Sequence, residues 1–182
     1  MGVLGYEREA EDFYPSPPWC TEALLKHFTP RGTVWEPACG QGHICKVLEA
    51  KGHKVIATDL VDRGYGTPDK DFLKFDALPD PSIQAIITNP PYSDTLPSNF
   101  ITKSLDLMKP VDGSVAMLLR NEFDSASKRT KLFAHPAFSL KLVLTKRPRW
   151  IEDSTGSPRH NYAWFCWDWK TVGQAPLITW GQ

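Results

Sequence analysis

Four short runs of apolar residues, at 33–38, 54–60, 83–89 and 113–120, are continuous rather than alternating. Continuous runs of strand length are expected where a parallel sheet is covered on both faces. Stretches of helical character lie before, between or after them, at 21–28, 41–51, 98–109 and 125–133. Strand and helix in alternation predict a doubly wound α/β sheet. The tail breaks this rhythm. Residues 139–148 and 161–169 are two β-rich runs with no helical stretch between them, which predicts an antiparallel hairpin closing the edge of the sheet. The connection over 147–160 is rich in Pro, Gly, Ser and charge, the composition of a mobile loop.

The chain of 182 residues suits one domain, since roughly 100–200 residues usually build a single core. Residues 1–11 are expected to be flexible. No apolar run approaches the ~18–20 residues that span a bilayer. The acidic N-terminus has no signal-peptide stretch, so a cytoplasmic location and no membrane partner are expected. Cys20, Cys39, Cys45 and Cys166 make no CxxC pair and no zinc spacing with the five His, which predicts free thiols and no metal site. Lys+Arg and Asp+Glu balance at 21 each, but unevenly along the chain. Residues 1–119 carry 11 basic against 16 acidic side chains, whereas 120–160 carry 9 against 4. A polyanion would be drawn to the second block.

Two constellations carry candidate chemistry. The first is Glu36-Pro37-Ala38-Cys39-Gly40-Gln41-Gly42, between an expected strand and an expected helix. Glycines there allow a tight turn and the close approach of a ligand. Asp59 ends the next apolar run, 17 positions after Gly42, where a carboxylate can accept both hydroxyls of a ribose. The pattern differs from GxGxxG, and no Walker loop is present; a turn without a ligand remains the alternative. The second constellation is Asn89-Pro90-Pro91-Tyr92, directly after the 83–89 run. Two prolines remove two amide donors and stiffen an extended turn. The Pro90 carbonyl and the Asn89 side-chain oxygen then offer two acceptors, which suits an NH2 group. Tyr92 adds a flat face. Ligands of open α/β sheets sit beyond the carboxyl ends of the strands, where this turn lies.

The order Asp12-Phe13-Tyr14-Pro15-Ser16-Pro17, then the Glu36–Gly42 loop, Asp59, Asp71-Phe72 and Asn89-Pro90-Pro91-Tyr92 resembles the class I S-adenosylmethionine-dependent amino-methyltransferases. It is most similar to small, phage-type DNA adenine-N6 methyltransferases, with Ser16 standing where Thr is commoner. The resemblance implies a Rossmann-like, seven-stranded sheet, mostly parallel with a C-terminal antiparallel hairpin. It implies S-adenosylmethionine as cofactor. Phe13, Tyr14 and Pro15 would pack over its methionine part, which Glu36, Pro37, Ala38, Gly40 and Gly42 would cradle. Asp59 would bind its ribose, Asp71 with Phe72 would meet its adenine edge, and Leu60 would also belong to the cofactor site. Asn89, also beside the cofactor, would join Pro90, Pro91 and Tyr92 in a catalytic site, where Asn89 Oδ1 and the Pro90 carbonyl accept from the target amine and Tyr92 stacks on the extruded base.

The basic block places Lys146, Arg147, Arg149 and Trp150 at the entry of the 147–160 loop, with Arg159 and His160 at its exit. Cations flanking an aromatic suit a nucleic-acid clamp, with DNA as the expected partner. The alternative is a solvated loop with Trp150 folded back on the core. The ~90 residues after Tyr92 leave no room for a separate recognition domain of ~100 residues. Specificity is therefore expected to be short or relaxed, or supplied by a homodimer or partner subunit, in the bacterial host cytoplasm if the chain is phage-encoded. Three readings stay open beside DNA: an RNA base (adenine N6 or guanine N2), a protein glutamine amide, and a catalytically silent binding subunit.

Overall fold

The computed structural model describes residues 14–93, 95–150 and 160–182. Seven strands make one sheet: β1 (Thr33–Glu36), β2 (Val55–Ala57), β3 (Ile83–Thr88), β4 (Ser114–Arg120), β5 (Phe138–Leu144), β6 (Tyr162–Asp168) and β7 (Leu177–Gly181). Their order is β2-β1-β3-β4-β6-β5-β7. Only β6 runs against the rest: its pairs with β4 and β5 are antiparallel, and every other pair is parallel. Six strands therefore end at one edge of the sheet, and the chain leaving β5 and entering β6 lies at that same edge.

The expected doubly wound sheet is present, with one correction. The two tail runs do pair antiparallel, Leu142 opposite Trp164, but they do not close the sheet. β6 inserts between β4 and β5, and the outermost strand is β7, which the sequence pattern did not disclose. Burial explains the order. Trp164, Phe165, Cys166 and Trp167 are all 0% exposed, so β6 needs a neighbour on each side and cover on each face.

Helices cover both faces. α1 (Pro18–Leu25) and α2 (His43–Ala50) pack on one, where Leu24, Leu48, Leu142 and Trp164 share a core. α3 (Leu96–Met108) covers the other, with Trp35, Ile101, Met108 and Trp167. Each such side chain contributes roughly 1.5–3 kcal/mol by leaving water. Buried indoles still need partners: Trp164 Nε1 donates to the Cys20 carbonyl at 2.8 Å, and Trp35 Nε1 to Thr58 Oγ1 at 2.9 Å. All four cysteines are buried free thiols.

Helix boundaries follow local chemistry. α1 starts three residues earlier than the apolar pattern suggests because Pro18 has its φ preset for the first turn, behind an extended Pro17. α2 waits until His43 because Gly42 is left-handed, φ 78°. The helix expected over 125–133 shrinks to one turn, α4 (Thr130–Phe133), after two 3₁₀ turns. Ala126 is extended between those turns, while Ser125 Oγ donates to the Glu122 carbonyl and Arg129 to that of Phe123. Side chains that satisfy nearby carbonyls in this way compete with the helix. No helix among the described residues is long and apolar enough to cross a membrane, and none of their His, Cys, Asp and Glu side chains cluster as a metal site.

Candidate active site

The glycine loop leaves β1 and turns back on itself, with Gly42 N–H donating to the Cys39 carbonyl at 2.8 Å. Gly40, at φ 55°, and Gly42 both adopt the left-handed conformation that costs other residues energy. Their roles differ. Gly40 lines a cavity of about 270 Å³, close to the ~300–1,000 Å³ usual for small-molecule pockets. Gly42 does not line it: a Cβ there would lie 2.6 Å from the Tyr65 ring. The second glycine makes room for the protein's own tyrosine rather than for a ligand. Tyr65 is the positioning residue that the sequence reading missed. Its hydroxyl meets both Glu49 carboxylate oxygens at 3.2 Å, and Lys46 lies over its ring. This holds the 61–70 segment against α2. The one available signal was Gly64-Tyr65-Gly66, an aromatic between two positive-φ glycines.

The cavity brings together most of the expected cofactor residues: Tyr14, Pro15, Glu36, Pro37, Ala38, Gly40, Asp59, Leu60, Asp71, Phe72 and Asn89 all line it. Phe13 lies outside the described residues. Glu36 is 1% exposed; its Oε1 accepts from the Ala38 amide at 3.1 Å, while its buried Oε2 has no hydrogen-bond partner among the described residues. Burial pushes its carboxyl up to about 8, with the nearby Thr88 hydroxyl, and then the Ala38 amide, only partly offsetting the effect. Asp59 ties two loops together: Oδ2 accepts from Gly40 N–H at 2.7 Å and Oδ1 from Val61 N–H at 2.9 Å. Each oxygen keeps a lone pair for a further donor. Leu60 is 61% exposed at this wall, an apolar face without a cover. Asp71 is partly engaged, capping Leu73 N–H and pairing with Lys74. Phe72 is almost wholly buried against Trp35 and Phe100. His43, Arg63 and Lys70 also line the cavity, and no sequence motif marked them. Burial, then Glu36, pushes the Cys39 thiol up to about 12, so it is no nucleophile.

At the tip of β3 the prolines end the strand, and Asn89 faces the cavity with Pro91. The Asn89 amide is oriented by two donations from Nδ2, to the Tyr14 carbonyl and to Ser16 Oγ, both 3.1 Å. Ser16 therefore matters through its hydroxyl, a role Thr would share. Pro90 and Tyr92 do not line the cavity. The Tyr92 hydroxyl bonds Asn89 Oδ1 and lies 3.0 Å from the Leu118 carbonyl. Burial, then the neighbouring Tyr162, holds its phenol far above the ordinary range, which keeps it a donor. The Tyr92 ring is not an open stacking face as expected from sequence. It closes a ring of four aromatics, 5.9 Å from both Tyr14 and Tyr162, while Trp150 lies 6.0 Å from Tyr14 and 4.8 Å from Tyr162. Tyr92 packs there against the apolar clusters on both faces of the sheet.

Trp150 is thus folded back on the core. This brings the basic loop entry to the Asn89 end of the sheet. Lys146, Arg147 and Arg149 are exposed there, as is His160. Lys146 lies over the Trp19 ring and Arg147 Nε donates to Asn161 Oδ1 at 2.9 Å. Arg159 lies outside the described residues, with most of the 147–160 loop.

No protein-family model matches the chain, nor does any curated protein sequence. Solved structures do. A candidate class I S-adenosylmethionine-dependent methyltransferase from Listeria monocytogenes is 16% identical with a TM-score of 0.59, over 90% of this chain and 61% of that one. A candidate RNA methyltransferase from Pyrococcus horikoshii is 14% identical with a TM-score of 0.66, over 87% and 88%. The M protein of the type I restriction enzyme EcoKI is 14% identical with a TM-score of 0.58, over 88% and 44%. The chain thus spans less than two thirds of the Listeria and EcoKI proteins. Its fold is that of the class I S-adenosylmethionine-dependent methyltransferases.

Proposed function

We propose that the chain transfers a methyl group from S-adenosylmethionine to the exocyclic N6 amine of adenine in DNA, with short or relaxed sequence specificity. One observation carries this reading: Asn89, its amide fixed by Tyr14 and Ser16, stands at the tip of β3 in the wall of the cavity. With both Nδ2 protons committed, Oδ1 is the atom left to accept from an amine. Oδ1 accepts from the Tyr92 hydroxyl and keeps a second lone pair for the amine, and the Pro90 carbonyl would take the second N–H. Holding both protons turns the lone pair out of conjugation with the ring. The cofactor, when bound, supplies a methyl group on a positively charged sulfur. The protein's part is alignment and electrostatics. The exposed Lys146, Arg147 and Arg149 at the same edge support a polyanionic nucleic acid over a protein amide. RNA is the second reading, because one structural neighbour is itself a candidate RNA methyltransferase. Incubation with labelled cofactor and DNA, RNA or protein tests the choice. Label is expected in DNA, and label confined to RNA or protein rejects it.

The cavity residues fit this cofactor. The buried Glu36 carboxyl suits its ammonium, the remaining Asp59 lone pairs its ribose hydroxyls, and exposed Leu60 its adenine face. Glu36 makes the fit measurable. With its carboxyl at about 8, it holds a proton at neutral pH, and a cation favours the ionised form. Binding below pH 8 is expected to release a proton, and affinity to rise with pH up to about 8. In the free protein the sign is opposite. A raised carboxyl means that stability falls as pH climbs from its ordinary 4.5 through about 8. Calorimetry in two buffers of different ionisation enthalpy reads the proton. Glu36→Gln is expected to abolish both the release and the pH slope, and a slope retained in that variant assigns it elsewhere.

A further inference from the structure

β7 is the outermost strand and pairs only with β5 among the described residues. The Gly181 carbonyl accepts from Thr145 N–H at 3.0 Å, so the peptide groups of Gly181 face β5, and by alternation so do those of Thr179 and Leu177. Those of Ile178 and Trp180 point away from the sheet. The side chains are as unusual as the edge. Apart from Leu60 at the cavity, the large exposed hydrophobics among the described residues are Val172, Leu177, Ile178 and Trp180, at 48%, 58%, 55% and 62%. All four fall in one stretch. Edge strands are ordinarily blunted by charge, yet residues 171–182 hold no charged side chain.

We infer that β7 is a self-complementary edge through which two copies of this chain pair antiparallel, centred on Thr179. The register follows from the strand itself. Centring on Thr179 sets Ile178 opposite Trp180 of the second copy, twice, so the outward peptide groups exchange four hydrogen bonds. Both pairs are β-branched against aromatic, a favourable cross-strand combination. Leu177 falls opposite Gly181, a large side chain against none. An uncharged strand meets its own copy without like-charge repulsion. The two Thr179 residues then form a non-hydrogen-bonded pair on the axis, with Cα atoms ~4.5 Å apart. The two-fold axis stands normal to the sheet, so the two Asn89 sites open towards opposite ends and each takes its own substrate.

The register makes the test positional. Cα atoms ~4.5 Å apart lie within disulfide range, so Thr179→Cys is expected to give a disulfide-linked species of twice the 20.5 kDa chain mass under mild oxidation. The four native cysteines are buried and do not compete. Ile178→Cys and Val172→Cys are expected to stay unlinked, having no copy of themselves across the axis. For the unmodified chain, sedimentation equilibrium is expected to show a concentration-dependent dimer. Ile178→Pro removes an outward N–H, a substitution that edge strands tolerate. It is expected to give a monomer with unchanged circular dichroism. A monomer at every concentration without Thr179→Cys linkage overturns the inference, as does a dimer that survives Ile178→Pro. Slow amide exchange at Ile178 and Trp180 in a monomer overturns it too, by showing that another part of the same chain covers the edge.

Discussion

Asn89→Ala is expected to cut turnover by roughly a hundredfold to a thousandfold, the scale on which removal of one preorganised hydrogen-bonding group slows a reaction. The substitution deletes the acceptor that the amine requires, while the cavity keeps Glu36, Asp59 and Leu60. Cofactor affinity should therefore change much less than turnover. A second effect must be separated from the first. Asn89 Nδ2 also tethers the Tyr14 carbonyl and Ser16 Oγ, so the alanine variant loosens the N-terminal wall. Ser16→Ala removes one of those tethers and leaves the acceptor, and it is expected to retain most of the turnover. If single-turnover methylation by Asn89→Ala matches the unmodified chain at saturating cofactor, the assignment is wrong.

Asp59→Ala is expected to damage both binding and fold. Two backbone N–H groups, from Gly40 and Val61, lose a charged acceptor at 2.7 and 2.9 Å. Hydrogen bonds to charged groups contribute about 1.5–3 kcal/mol each, and partial rehydration of the loop returns some of that, so a loss of roughly 2–4 kcal/mol is expected. Urea unfolding with an unchanged slope measures it. Cofactor affinity should fall at least as steeply, since the same carboxylate shapes the glycine turn and, in the proposed function, accepts from the ribose. Asp59→Asn separates the two roles: it keeps the shape and one acceptor, so it should recover part of the stability and little of the affinity. A stable Asp59→Ala variant that binds cofactor normally would show that Gly40 is held by its own turn and the ribose by other residues.

Much of this was legible in the residues. The runs at β1, β3 and β4 are continuous because both faces are buried, and such runs announce a covered parallel sheet. The glycine loop, Asp59 and the Asn89 turn fall in the cavity because each is a local device at a strand end. What was hidden depends on contacts distant in sequence. Nothing in residues 177–181 alone says that they pair with β5, since a five-residue apolar run with a glycine has no periodicity to read. Gly42 looked like a ligand's clearance because the tyrosine that needs it lies 23 positions later. Tyr92 and Trp150 looked like open faces because only the tertiary fold brings Tyr14 and Tyr162 against them. The helix expected over 125–133 failed for a subtler reason: Ser125, Arg129 and Thr130 donate their side chains to nearby carbonyls.

The central claim is that two oxygens at the tip of β3 present a planar amine to a neighbouring methyl donor. Locating the transferred methyl group atom by atom tests it most directly, by digesting labelled substrate to nucleosides and resolving them by mass spectrometry. The account predicts N6-methyladenine. A methyl group on a ring nitrogen or on carbon 5 of cytosine, positions that need no acceptor pair for an NH2 group, would contradict it.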